Sequence, residues 1–296
     1  MQRTPASGEK EGNPHMKKGL ERITGQVRKA IQDYNMIQDG DRLALGLSGG
    51  KDSLTLLAAL VMLKPYFPQA FTLEAVTIDL GFPAPDLSYP LDSPDRISPI
   101  NSTSPANLYD LDALTEYCAT LGIRHTIERT QIGKIVFDYH PSERPCSLCA
   151  NMRRGALNNV AKSLGCNRVV LAHNRDDLIE TLLLSLFYEG RLSAFSPVTY
   201  LGRKNLHVIR PMIYTEEKDI VQYIKTAEIT PLKNPCTVNG NTKRQEVKEL
   251  LKLLSKTNRM VYSNIFGAVK RSLLKPGESQ PSESDDSDNA DDSPEN

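Results

Sequence analysis

The sequence predicts an α/β domain: a mainly parallel sheet with helices on both faces and a helical C-terminal extension. Three observations carry this. RLALGL (42–47), the stretch 72–80 and RVVLAH (168–173) are short continuous apolar runs, the pattern of strands buried on both faces. Helical patterns separate them at the spacing of βαβ units. Polar turns, at 48–53 and 173–177, stand where two of the runs pass into helices, and in such sheets ligands bind at the carboxyl ends of the strands.

In order along the chain, residues 1–16 are polar and rich in Gly and Pro, a composition that predicts a disordered N-terminus. Leu20, Ile23, Val27 and Ile31 give 17–34 a basic amphipathic helix. Asp39-Gly40-Asp41 turns the chain into 42–47, and Leu54–Leu63, apolar all round, suits a helix covering a sheet. After 72–80 comes the Pro-rich stretch 81–107, without helical or alternating pattern, which predicts a long insertion loop. A helix over 108–121 ends at Gly122, and a strand follows near 123–128. A cysteine-bearing loop (141–149) leads into a helix stopped by Gly165. The helix 176–190 ends on its own glycine, 207–211 reads as the last strand, and helices are predicted at 215–227, 243–256 and 260–273. The organisation is then one domain over 17–274, with an acidic disordered tail over 275–296.

Composition narrows the function. With 39% hydrophobic residues the chain can build a core, yet no apolar run reaches the roughly 18 residues of a membrane helix. The start lacks a 7–15-residue apolar stretch, so no signal peptide is expected and the reading is cytoplasmic, without a membrane partner. The net charge of zero hides an asymmetry. Residues 277–296 hold eight acidic and no basic residues, so the remainder carries +8, of which +7 falls between Arg210 and Lys275. A basic body fits a polyanionic partner, although solvated helix faces would account for the same count.

Ser48-Gly49-Gly50-Lys51-Asp52-Ser53 lies between a predicted strand and helix. Glycines let backbone amides approach a phosphate, the helix N-terminus adds partial positive charge, Lys51 supplies a cation, and Ser48 and Ser53 supply hydroxyls. It is not a Walker A loop, which would need Gly in place of Leu45 and Ser or Thr in place of Asp52. His173-Asn174-Arg175-Asp176-Asp177 ends another strand, and two adjacent carboxylates there suit Mg²⁺ bound through water and phosphate oxygens. Helix capping would also explain the acids, and for Asp176 it would suffice alone.

Five cysteines without an export signal argue against a disulfide framework. Cys146 and Cys149 form a C-x-x-C, which a zinc half-site, a redox pair or part of an iron–sulfur site would each use; Cys236 is a candidate third ligand. Cys118 and Cys166 are expected in the core. Arg153 and Arg154 follow the C-x-x-C, as anion contacts or as a plain basic face.

S-G-G-x-D-S, C-S-L-C-x-x-x-R-R-G, A-H-x-R-D-D, I-R-P and the later P-C, in this order, resemble the tRNA 2-thiocytidine synthetase family of PP-loop ATP pyrophosphatases, over about residues 17–270. The resemblance implies an adenine nucleotide alpha-hydrolase-like fold and ATP, Mg²⁺ and a [4Fe–4S] cluster as cofactors. ATP would adenylate the C2 oxygen of cytidine 32 in tRNA, releasing pyrophosphate, and sulfide carried by the cluster's open iron would expel AMP. It places Asp52, Lys51 and Asp177 in the reaction. Ser48, Gly49, Gly50, Ser53, His173 and Asp176 fall on the nucleotide and its metal, and Cys146, Cys149 and Cys236 on the cluster. Arg153, Arg154 and Arg210 fall on the tRNA. It further implies a sulfur donor such as a cysteine desulfurase, and a homodimer.

The sequence departs from the family pattern in having Asn174 where His is usual, Asn239 where a further Cys is frequent, a longer 81–107 stretch, and the acidic tail. Two other functions fit the same residues. One is the same chemistry on another nucleoside or a small molecule; the other is an ATP-binding regulatory module whose cysteines hold structural zinc.

Overall fold

The computed structural model describes residues 14–82, 111–136, 145–232, 243–274 and 280–281. The chain opens with α1 (Pro14–Asp33), three residues ahead of the expected start, whose Ile23, Val27 and Ile31 are fully buried. Then come β1 (Asp41–Gly46), α2 (Lys51–Leu63), β2 (Phe71–Asp79), α3 (Leu111–Thr120), β3 (Arg124–Arg129) and a single turn, α4 (Ile132–Lys134). The second half runs α5 (Pro145–Ser163), β4 (Arg168–Val170), α6 (Arg175–Glu189), β5 (Val198–Leu201), β6 (Leu206–Ile209), α7 (Glu217–Thr226), α8 (Lys243–Thr257), α9 (Val261–Ser272) and a two-residue β7 (Gln280–Pro281).

The sheet order is β3-β2-β1-β4-β6-β5-β7. Neighbours from β3 to β6 pair in parallel, as expected. The pair β5–β6 is antiparallel, and β5 is an addition to the strands expected from the apolar runs. Its signal stands in the sequence: Val198–Leu201 and Leu206–Ile209 flank a short connection containing Gly202, a hairpin pattern.

Strand alternation divides the core into two layers. Leu43, Leu45 and Leu73 pack with α1, α2, α3, α6 and α7, whereas Ala44, Val76 and Val169 pack with Leu157, Val160 and Ala161 of α5. Helices therefore lie on both faces. Reversal of winding between β1 and β4 makes these two neighbours the switch point of the sheet. Their register is fixed at the opposite end by a buried pair. Arg168 Nε lies 2.8 Å from Asp41 Oδ2, and Asn167 Nδ2 donates to Asp41 Oδ1 at 2.6 Å.

The C-x-x-C is helical, a correction to the loop expected over 141–149. Pro145 opens α5, a position where its missing N–H costs nothing and its φ is already helical, so Cys146 stands in the first turn and Cys149 at the start of the second. Residues 83–107, most of the Pro-rich stretch, lie outside the described residues, as do Cys236, residues 1–13 and the tail apart from 280–281. No helix among the described residues is long and apolar enough to cross a membrane.

Candidate active site at the carboxyl ends of β1 and β4

Beyond Gly46 the chain stays in line with the sheet through a bond from Leu47 N to Val76 O (2.8 Å), then rises into the glycine loop. Gly49 has φ +73°, and a Cβ there would come within 2.6 Å of Leu232 Cδ1. Leu232 N donates to Gly49 O at 2.9 Å, so 232 is sewn directly to the loop and only glycine fits beneath it. Ser48 Oγ accepts from Gly50 N (3.3 Å) and lies 3.2 Å from Ser53 Oγ, which donates to Gly50 O (3.0 Å). Gly50 caps α2 without any side-chain hydrogen bond, leaving the amides of the first turn for an anion.

Loop 171–174 after β4 sits beside this one and is bonded to it. Asn174 is buried and does two tasks. Its Oδ1 accepts from Asp176 N (2.9 Å) and Asp177 N (3.0 Å), and Asp177 Oδ2 accepts from Asn174 N (3.0 Å), a complete capping box on α6. Its Nδ2 donates to Asp52 Oδ1 at 3.0 Å. One amide thereby locks the acid of the glycine loop to the acidic end of α6.

Cations answer the carboxylates. Lys51 Nζ lies 2.8 Å from Asp52 Oδ2 and 3.2 Å from Glu217 Oε1. Burial alone would lower the Lys51 ammonium pKa, but Asp52 and Glu217 raise it above its ordinary value, so the charge is secure at neutral pH. Arg244 of α8 lies 3.4 Å from both Asp177 Oδ1 and Glu180 Oε2. Burial, with Asp52 nearby, pushes the Asp177 carboxyl up.

These loops head a cavity of about 450 Å³. Ser48, Gly50, Asp52, Ser53, His173, Asp177 and Arg210 line it, Val76, Ile78, Leu80 and Leu171 give it an apolar side, and Ala150, Arg153, Arg154 and Leu157 of α5 close it. Arg153 and Arg154 are exposed at its edge. Arg210 instead lies within, its Nη1 donating to Ser196 O (2.7 Å) and Thr199 Oγ1 (3.1 Å), with the guanidinium 5.3 Å from the Phe195 ring. Phe195 also packs on His173, at 5.1 Å between centroids. Burial, reinforced by Arg210, Arg244, Arg154 and Arg153, pushes the His173 pKa down to about 3, so this imidazole is neutral and the surrounding field positive.

The cysteine pair stands on the same helix, one turn before the residues that line the cavity, and neither cysteine is part of the lining. At helical spacing, Cys146, Ala150, Arg153 and Leu157 form one stripe of α5, and the last three line the cavity. Cys146 is exposed and Cys149 partly buried. Among the described residues no group of three or more His, Cys, Asp or Glu is arranged to hold a metal; Cys236, the third expected ligand, lies outside them.

Asp176 is the expected site residue that turns elsewhere. It is absent from the cavity lining, and its Oδ2 accepts from Glu217 N at 2.9 Å, serving the N-terminus of α7. Gly49 and Lys51 shape the loop from outside the lining. Sequence reasoning missed Asn174, Glu217, Arg244 and Lys248. Asn174 was readable: Asn followed three residues later by Asp before an apolar run is an N-terminal capping pattern. The other three carry no local signal.

Comparison with known proteins shows the family and the fold. A family model described as a PP-loop domain matches residues 104–254. The protein named tRNA-cytidine(32) 2-sulfurtransferase from Pelobacter propionicus is 37% identical over 84% of this chain and 84% of its own. Its namesake from Geobacter sulfurreducens is 35% identical over 86% of this chain and 88% of its own. Among solved structures, the U34-tRNA thiolase NcsA from Methanococcus maripaludis with its [4Fe-4S] cluster has the same fold, with a TM-score of 0.65 at 22% identity over 89% of this chain and 85% of that one. Fold and site together define a PP-loop protein of the ATP pyrophosphatase class. Within that class, the chain belongs to the tRNA-cytidine(32) 2-sulfurtransferase family.

Proposed function

We propose that this chain is an ATP-dependent tRNA thiolase that converts cytidine 32 to 2-thiocytidine by adenylating the C2 oxygen. The observation that supports it best is the shared cavity. A phosphate-accepting loop heads it, and the helix bearing Cys146 and Cys149 walls it.

The uncapped amides of α2, with Ser48, Gly49, Gly50 and Ser53, hold the pyrophosphate portion of ATP, and Lys51 neutralises charge on it as it leaves. The apolar side formed by Val76, Ile78 and Leu80 accepts the flat adenine ring. Asp52, oriented by Asn174, and Asp177 face the phosphates from neighbouring strand ends. Two carboxylates fit Mg²⁺, which takes few protein ligands and completes its shell with water and phosphate oxygens. His173 is neutral and supplies a hydrogen bond rather than a charge. Arg153 and Arg154 at the edge, with Arg210 within, attract the tRNA phosphates.

A [4Fe–4S] cluster on Cys146, Cys149 and Cys236 would supply the sulfide when bound. The two described thiols stand three residues apart on one helix, a spacing that brings side chains together. Adenylation turns the C2 oxygen into a good leaving group, which explains the need for ATP. A sulfur donor such as a cysteine desulfurase, and a homodimer, belong to the same proposal.

Anaerobically purified chain, given ATP and tRNA unmodified at position 32, should release pyrophosphate only when tRNA is present. A zinc-loaded protein that releases none would favour a regulatory module and defeat the proposal.

A further inference from the structure

Glu217, the first residue of α7, stands where three parts of the site meet. Its carboxylate lies 3.2 Å from Lys51 Nζ of the glycine loop and 2.7 Å from Lys248 Nζ of α8, and its backbone N–H is held by Asp176. The three side chains keep between about a quarter and a third of their surface exposed. Exposed ion pairs are worth little because two long side chains must be ordered against water and salt. Here one half-buried carboxylate is shared by two ammonium groups, from elements that are themselves packed. Burial would raise its carboxyl pKa, but Lys248 and Lys51 hold it below the ordinary value, so it is a carboxylate at neutral pH.

We propose that Glu217 is a positioning residue for Lys51, and that Lys248 is the reserve cation that lets Lys51 leave. This rests on the ATP-cleaving reading above and concerns how the loop lysine is delivered. Lysine has four rotatable bonds, and a side chain free to sample them must be ordered during the reaction. Asp52 on one side and Glu217 on the other hold Nζ beside the loop before ATP arrives. When Lys51 turns to the phosphates, Glu217 would be left half-buried and unpaired, a costly state. Lys248, already 2.7 Å away, keeps it compensated.

The two substitutions therefore act on different parameters. Glu217→Gln leaves Lys51 unheld, so kcat for tRNA-dependent pyrophosphate release falls about tenfold while KM for ATP changes little. Glu217→Asp keeps the charge and restores part of kcat. Lys248→Met leaves Lys51 as the ion-pair partner of Glu217, so Lys51 is drawn away from the nucleotide and KM for ATP rises several-fold, with a smaller loss of kcat than in Glu217→Gln.

Steady-state kinetics on the full chain, with thermal melts of each variant, decide the matter. The expected result is this split between kcat and KM, with Asp rescuing the Gln defect and all melts close to the parent. Equal losses in both variants that follow a lowered melting temperature, or an unchanged kcat in Glu217→Gln, would overturn the positioning role while leaving ATP cleavage intact. A parent protein that binds ATP but releases no pyrophosphate would overturn both readings together.

Discussion

At the scale of single residues, Asn174 joins the two loops of the site. Its side chain caps α6 and fixes Asp52, which is 122 positions earlier in the chain. Two substitutions separate these tasks. Asn174→Ala loses both, costing about 1–2 kcal/mol of stability through the cap alone. Asn174→Ser keeps an effective cap but is too short to reach Asp52, so stability is nearly kept while pyrophosphate release drops about tenfold or more, the effect of losing a hydrogen bond to a charged group. Urea melts and pyrophosphate assays on both variants check this; full activity in Asn174→Ser would show that Asp52 needs no anchor. Ser48–Ser53 was legible because its chemistry is contiguous and sits at a strand-to-helix passage. Glu217, Arg244 and Lys248 were not, because their meaning comes only from Lys51 and Asp177, which folding brings to them from distant segments.

Elements set the distances between those residues. The switch between β1 and β4 places both functional loops side by side, and Arg168–Asp41 pins that switch at its far end. Removing one member of a buried pair leaves an unpaired charge. Arg168→Met should therefore lower stability by about 3–5 kcal/mol, and Arg168→Met with Asp41→Leu should recover most of it. Denaturant titration measures both; a single variant costing under about 1 kcal/mol would mean the pair does not hold the register. The parallel strands were legible because they are continuous apolar runs. The hairpin strand β5 escaped, since its four residues are short and only one of them, Val198, is buried. The start of α5 also escaped: a Pro-Cys sequence reads equally as a loop, and only its packing beneath the sheet makes it a helix.

For the molecule as a whole, charge is unevenly spent. Four arginines surround neutral His173, while carboxylates gather around Lys51 and beneath α8. Glu180 bears the cost of that gathering: burial and then Asp177 push its carboxyl up to about 7, against a partial offset from Arg244. The folded chain keeps a proton that the unfolded chain releases near the ordinary value of 4.5. Glu180 therefore makes stability fall as pH rises between these values, by at most about 3 kcal/mol, with the full stability present only below them. Glu180→Gln should match the parent near pH 5 and melt higher near pH 8; parallel curves would refute the assignment. The basic excess over 210–275 was legible as composition, yet its division of labour was not. Arg210 lies within the cavity, whereas Arg244 and Lys248 serve carboxylates.

The central claim concerns one base in one class of RNA, and mass spectrometry of nucleosides answers it directly. Total tRNA is digested from cells lacking this gene and from their parent, and the thiolated nucleosides are compared. The account predicts that 2-thiocytidine disappears from the deletion strain, that other thionucleosides persist, and that the intact gene restores it whereas Cys146→Ala does not. Undiminished 2-thiocytidine in the deletion strain would contradict it.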